Sequence, residues 1–264
     1  MAETSRSERK LPISGCVITY NEERNIRECL ESLSFCDDIV VVDSFSTDRT
    51  LEISREYTPR IYENEYKGNI SQKNFALGKV KNVWVLSLDA DERISPELRD
   101  EIAREYAKGL DRCTAYLIKR HVSYLGKWIN HCGWYPDYKL RLFDKKKGHF
   151  GGSEPHDTFI TNGKMGKLKA EIYHFPCASL SEHLRTIDKY SGITAAHVPT
   201  PFISRTLPLL ILAPLVKFLE MYIIKKGFLD GVRGLLICLI SAFSRFLRYA
   251  KAIELQWSRE RPPR

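Results

Sequence analysis

Short apolar runs alternate with helical spacings through the first 110 residues. Ile13–Thr19 (ISGCVIT) has the continuous apolar character of a buried strand. Glu23–Leu33 follows, with Ile26, Leu30 and Leu33 at helical spacing and Asn21 placed as an N-cap. Asp38–Asp43 (DIVVVD) is a second strand and Arg49–Tyr57 a short helix. Arg60–Glu63 is a weaker strand, Ser71–Val80 a helix and Val83–Leu88 (VWVLSL) a strong strand. Ser95 and Pro96 then open a helix to Ala107, as N-cap and first helical residue. Strand and helix in alternation predict an α/β fold: a mostly parallel sheet with helices on both faces.

In such sheets ligands gather beyond the carboxyl ends of the strands. Those ends carry Thr19-Tyr20-Asn21-Glu22, then Asp43-Ser-Phe-Ser-Thr-Asp48, then Asp89-Ala90-Asp91-Glu92. A single Asp after a strand often does no more than cap the next helix. Three polar segments on one rim, the last an Asp-x-Asp, point to a site. Two carboxylates at that spacing hold a hard divalent cation, with water and phosphate filling the other positions. Neither GxGxxG nor GxxxxGK[ST] occurs, so dinucleotide binding and P-loop chemistry lack their signatures.

With these residues the chain resembles the inverting family 2 glycosyltransferases of GT-A fold. The resemblance lies in Thr19-Tyr20-Asn21-Glu22, Val41-Val42-Asp43-Ser44-x-Ser46-Thr47-Asp48-x-Thr50, Gln72-Lys73-Asn74-Phe75-Ala76 and Asp89-Ala90-Asp91-Glu92. Later segments resemble a narrower branch, the lipopolysaccharide-core β-1,4-glucosyltransferases. They are Tyr138–Phe143 (YKLRLF), Glu154-Pro-His-Asp157, Ile172-Tyr-His174, Tyr190 and Gly227–Gly231 (GFLDG). The resemblance implies a metal-dependent transferase moving glucose from a UDP-sugar to a membrane glycolipid, the lipopolysaccharide inner core. A relative with another donor sugar or a polyprenyl-linked acceptor, and a catalytically dead membrane-attached scaffold, remain as alternatives.

The same resemblance implies roles. Thr19, Tyr20, Asn21 and Glu22 would line the uracil pocket, with Asp43 accepting from the base. Gln72 and Asn74 would lie near ribose and diphosphate, with Lys73 reaching a phosphate or simply solvated. Asp89, with Ala90 beside it, would contact the ribose or the metal's water shell, and Asp91 would ligate Mg²⁺ or Mn²⁺. His174, after a strand, is a candidate to complete the metal shell or touch the diphosphate, or is structural. Inversion needs one general base to deprotonate the acceptor. The Gly-rich segment His149–Asp157 concentrates carboxylates, so Asp157 is the expected base and Glu154 the second candidate. Tyr124, Trp128, Trp134 and Tyr135 are candidates for stacking on acceptor sugars, or for core packing.

Composition adds the remaining expectations. The 264 residues carry a net charge of +8, and 43% are hydrophobic, enough for a core. Residues 201–264 hold eleven Lys or Arg against four Asp or Glu, net +7, leaving a near-neutral body. That asymmetry speaks against a nucleic-acid binder and for an anionic membrane surface. Thr206–Val216 and Gly234–Ser244 are uncharged runs of eleven residues, short of the roughly 20 a spanning helix needs. They fit peripheral or monotopic attachment at the cytoplasmic face of the inner membrane, either along the interface or as a re-entrant hairpin. Seven Cys without CxxC spacing are read as reduced thiols, and the polar first ten residues show no signal peptide. The expected organisation is a flexible 1–11, a nucleotide-sugar half 12–110, an acceptor half 111–199, a basic amphipathic 200–256 and a flexible 257–264. The oligomeric state is not readable.

Overall fold

The computed structural model describes residues 10–154, 156–198 and 208–260. The expected flexible N-terminus falls outside the described residues up to 9, as do the start of the basic tail and residues 261–264. The chain divides into two compact units: Met1–Arg120 with Asp137–Phe175, and His121–Pro136 with Pro176–Arg264.

In the first unit the elements run β1 (Leu11–Thr19), α1 (Ile26–Ser32), β2 (Cys36–Asp43), α2 (Thr50–Arg55), β3 (Ile61–Glu63), α3 (Asn69–Leu77), β4 (Trp84–Asp89), β5 (Glu92–Ile94) and α4 (Pro96–Ala107). They continue with β6 (Ala115–Tyr124), β8 (Asp137–Asp144), β9 (Gly148–Ser153), β10 (His156–Thr161) and β11 (Met165–His174), β7 belonging to the second unit. The sheet order is β3-β2-β1-β4-β8-β6-β11-β5. Strands β1 to β4 pair in parallel. β8 then joins β4 antiparallel, and β6 joins β8 likewise. Strands β8, β6 and β11 therefore extend the sheet begun by residues 12–110, and no unit boundary falls at residue 110.

Alternation along the strands builds a core on each face. Ile13, Val17, Val41, Leu86 and Leu88 pack against α1 and α4. Cys16, Val40, Val42 and Val85 pack on the other side with Ala76 of α3 and the aromatic group Phe143, Phe150 and Phe159. Ser95 caps α4 as the sequence predicts, accepting from Leu98 N at 3.1 Å. Asn21 does not cap α1. The helix begins at Ile26, and Asn21 sits in the left-handed region at φ 54° with its side chain committed elsewhere.

Among its described residues the second unit contains β7 (Lys127–Trp128), paired with the end of β6, and the helices α5 (Leu180–Ala195), α6 (Leu209–Leu219) and α7 (Gly231–Glu260). A π-helical turn, Glu220–Ile224, and a 3-10 turn, Gly227–Asp230, join α6 to α7. α7 continues past residue 257, where a flexible tail is expected. The second uncharged run lies inside it, and Gly227–Ser258 is long and apolar enough to cross a membrane by length and composition. The expectation that this run falls short is corrected, because it measured the uncharged stretch and not the helix around it.

Among the aromatic candidates, Tyr124 is buried, donates to or accepts from His183 Nδ1 at 2.9 Å, and meets Trp134 edge-on. Those two are core. Trp128 is exposed, with the His121 ring 4.9 Å from its own and Tyr135 on that imidazole at 4.5 Å. Buried Asp230 ties the 3-10 turn to the loop at Asn130–Cys132. It accepts from Asn130 N at 3.1 Å and His131 N at 2.8 Å. All seven cysteines are free thiols.

The turn before α7 depends on close backbone approach. A Cβ on Gly234 would lie 2.0 Å from the carbonyl oxygen of Gly227, where only backbone movement gives relief. Gly234→Ala is expected to cost about 1–3 kcal/mol by overpacking, read as a lowered melting temperature. Gly192→Ala in α5, whose Cβ would meet nothing nearer than 3.9 Å, is expected to be neutral or stabilising.

Candidate active site

The carboxyl ends of β1 and β2 are stitched into one rim. Asn21 N donates to Ser46 Oγ at 2.8 Å and Asn21 Oδ1 accepts from Thr47 N at 2.8 Å. Glu22 N donates to Thr50 Oγ1 at 2.8 Å, and Glu23 N to Asp48 at 3.1 Å. Asp43 is buried beneath them, accepting Ser46 N at 2.7 Å and Ser46 Oγ at 2.5 Å. The two polar segments hold each other's backbone, the reason both need short Asn, Asp, Ser and Thr side chains. Tyr20 and Phe45 are exposed on this rim, Phe45 at φ 62°, which a bulky residue rarely adopts. The hydroxyl of Thr19 is buried with no partner among the described residues.

The α3 motif faces two ways. Gln72 is buried, donating to Ser44 Oγ at 2.9 Å and accepting from Asn64 Nδ2 at 2.7 Å. Ile70, Lys73 and Asn74 face the β9–β10 hairpin. Ile70 N donates to Glu154 Oε1 at 2.9 Å. Lys73 Nζ donates to Asp157 Oδ2 at 2.8 Å. Asn74 exchanges two hydrogen bonds with the backbone of Phe150, at 2.8 and 2.9 Å. Residues i, i+3 and i+4 share a helix face, so one turn of α3 clamps the hairpin. Glu154 serves as the remote cap of α3. Close by, Gly68 at φ 115° would drive a Cβ to 2.5 Å from Glu154 Oε1.

Lys73 also reaches Asp89 Oδ1 at 3.0 Å, so one ammonium with little solvent contact bridges Asp157 and Asp89. The other oxygen of Asp89 takes Arg141 Nη2 at 2.5 Å. Arg141, in β8, pairs at 2.6 Å with Glu92, which is fully buried and also meets Arg120 at 3.2 Å. Arg120 in turn holds Asp137 at 2.6 Å. Burial alone would raise the Asp89 carboxyl, but the charges of Arg141 and Lys73 outweigh it and hold it well below the usual carboxylate range. Ala90 between the two aspartates points into the core.

Asp91 stands apart from this network. Its Oδ2 lies 3.1 Å from His174 Nε2, at the end of β11. Burial would raise its carboxyl as well, and the neighbouring imidazole overrides that and lowers it. The second ring nitrogen, Nδ1, is buried with no partner among the described residues. One carboxylate oxygen and one imidazole nitrogen suit Mg²⁺ or Mn²⁺ when diphosphate and water supply the other positions. No cluster of three or more His, Cys, Asp or Glu among the described residues forms a self-sufficient metal cage. The pair therefore fits a cation that arrives with its phosphate.

The structure thus brings Asp89, Lys73 and Asp157 together, sets Asp91 beside His174, and gives Asp43, Gln72, Asn74 and Glu154 bonds to the protein itself. Arg141, Arg120 and Asp137 had no sequence-based role. Their signal was present: Arg141 is a charge set between Leu140 and Leu142, and a buried charge requires a partner.

Residues 14–165 match the family described as glycosyl transferase family 2, and the chain belongs to that family. It is a glycosyltransferase. A Rickettsia typhi protein named uncharacterized glycosyltransferase RT0209 is 32% identical, covering 92% of this chain and 87% of its own. The lipopolysaccharide core biosynthesis glycosyltransferase LpsC of Rhizobium meliloti is 29% identical over 96% of both chains. Among solved structures, S. aureus TarS 1–349 in complex with UDP-GlcNAc is similar with a TM-score of 0.47 at 17% identity, over 96% of this chain and 93% of that one.

Two outcomes follow from these contacts. Arg141→Met strands Glu92 and Asp89, and is expected to cost about 3–5 kcal/mol. The lowered Asp89 carboxyl contributes stability that is full above about pH 4 and lost as pH falls through its folded value. Without Arg141 that value rises, so acid unfolding should begin at higher pH, as read by circular dichroism during acid titration. Glu154→Ala should lower stability by about 1 kcal/mol, as loss of a helix cap does, in denaturant melts.

Proposed function

We propose that this glycosyltransferase moves a sugar, glucose as first candidate, from a UDP-sugar to a membrane glycolipid of the lipopolysaccharide inner-core type. It would work with inversion, at the cytoplasmic face of the inner membrane. The name of the LpsC relative, similar over 96% of both chains, supports the acceptor class. The observation that carries the chemistry is the shared ammonium. Lys73 Nζ lies 3.0 Å from Asp89 and 2.8 Å from Asp157, joining the donor-side carboxylates to a carboxylate on the hairpin.

In this reading Tyr20, Asn21 and Glu22 flank the uracil with exposed Phe45, and the free Thr19 hydroxyl is available to the nucleotide. Asp91 and His174 would hold Mg²⁺ or Mn²⁺. When bound, that cation supplies charge neutralisation for the departing diphosphate. Asp157 takes the proton of the acceptor hydroxyl as its oxygen bonds to the anomeric carbon. The bond to the UDP oxygen breaks on the opposite face, giving inversion in one displacement. Lys73 orients Asp157 and keeps positive charge close to the diphosphate. Glu154, spent on the cap of α3, is the weaker base candidate. Attachment to an anionic membrane surface, through the basic second unit, brings the enzyme to its acceptor.

Asp91→Ala should abolish turnover in a protein whose circular dichroism is unchanged. Substantial activity at saturating Mn²⁺ would remove Asp91 from the metal. Asp157→Asn should slow the chemical step by roughly 10²- to 10⁴-fold with UDP affinity little changed. A larger rate defect in Glu154→Gln transfers the base role to Glu154. UDP release across a panel of nucleotide sugars, with a heptose-terminated lipid acceptor, tests the substrates. Preference for another sugar or for a polyprenyl-linked acceptor would replace that part of the reading, and no transfer from any donor would favour a scaffold.

A further inference from the structure

α7 buries Ile237 and Cys238 against Tyr124, Ile129, Cys132 and Met221. α6 packs along α7, yet none of its eleven residues is buried. Ile211 is 75% exposed, and Leu212, Leu215 and Val216 are exposed with it. Further exposed apolar residues lie at the corner between α6 and α7. There the chain reads Ile-Ile-Lys-Lys-Gly-Phe-Leu, residues 223–229. Ile223, Ile224, Phe228 and Leu229 are all exposed, Ile224 at 75%. The two lysines between them are exposed too. Such a run of large apolar side chains in water marks an interaction surface.

The lysines decide what covers it. Lys225 pairs with Glu220 at 2.6 Å, whereas Lys226, at φ 53°, has no ion pair among those found for the described residues. In a contact with a second copy, an ammonium set between isoleucine and phenylalanine would be desolvated, and lysine is depleted in such interfaces. In an anionic bilayer the same arrangement is favourable: apolar side chains enter the acyl boundary while the lysine stems carry their charges to the phosphates. The net +7 of residues 201–264 has the same sign preference.

The packing also fixes the depth. α6 has 11 residues, about 16 Å of helix against a hydrocarbon core of about 30 Å. α7 is long enough, but one face is core. Its first turn is anchored by Asp230 to Asn130 and His131, and its later part by Lys251 to Asp188 of α5 at 2.6 Å. Crossing a membrane would break all of these contacts.

Resting on the membrane-acceptor reading above, we propose that the corner Ile223–Leu229 and the exposed face of α6 insert shallowly into an anionic bilayer. Lys225 and Lys226 lie at the lipid phosphates, and neither α6 nor α7 spans.

The test is flotation of the full chain with vesicles of phosphatidylcholine alone and of phosphatidylcholine mixed with phosphatidylglycerol. The wild type should float with the mixed vesicles and be released by alkaline carbonate. The double variant Ile223→Glu/Ile224→Glu should stay unbound. Lys225→Gln/Lys226→Gln should lose on the order of 10- to 30-fold in affinity for the anionic vesicles only. These side chains are exposed, so circular dichroism should be unchanged. UDP release from the donor without lipid reports the transferase site separately. Its loss counts against the activity and its retention leaves the surface alone in question. Failure of the wild type to float, unimpaired flotation of the glutamate variant, or resistance to carbonate would each overturn the proposal. So would a concentration-dependent dimer in sedimentation that the glutamate variant abolishes.

Discussion

Arg141 is the charge around which the first unit is arranged. It lies in β8, almost without solvent, between two leucines of the sheet. Taking one ion out of water costs several kcal/mol unless opposite charges meet it at hydrogen-bond distance. Glu92 and Asp89 do so, from two sides of the β4–β5 turn. Arg120 balances the remaining charge of Glu92, and Lys73 that of Asp89. Strands β4, β5, β6 and β8 and helix α3 are thereby held to one geometry. Asp89, the first aspartate of the Asp-x-Asp, is fixed before any ligand arrives. Asp91 lies outside that network and pairs with the His174 imidazole.

The second constraint is the clamp between α3 and the β9–β10 hairpin. Glu154, Asp157 and Phe150 are held by Ile70, Lys73 and Asn74, one helical face against one hairpin. The Gln-Lys-Asn motif is therefore a docking surface for the hairpin. Gln72 points the other way, to Ser44 and Asn64, and couples the hairpin clamp to the β2 rim. A substitution in α3 is felt at the rim, at Asp89 and at the hairpin together, because all three bond to consecutive residues of that helix.

The second unit obeys a different rule. Its core is narrow, its turns need glycine at Gly227, Gly231 and Gly234, and Asp230 satisfies a loop that has no sheet to pair with. With so little interior it leaves a full apolar helix face outside. The GFLDG segment is thus structural: Gly227 for close approach, Gly231 at φ 65°, and a carboxylate to cap a loop.

The sequence by itself determined the order of elements and the carboxyl rim of the parallel strands. Period-two and period-3.6 patterns are local, and so are the Ser95-Pro96 start of α4 and the Asp-x-Asp. It also determined the charge asymmetry that sets the tail apart. What only the tertiary structure decided is which polar groups are spent. Asn21 reads as a cap and becomes a cross-link to Thr47, because that partner lies 26 residues away. Glu154 and Asp157 look equivalent three residues apart, yet one caps a helix and the other shares an ammonium. An eleven-residue uncharged run looks too short to span, yet its helix is 30 residues long with one face already buried. Each of these depends on contacts between residues distant in the chain, and a pattern along one strand or helix carries no record of its partner.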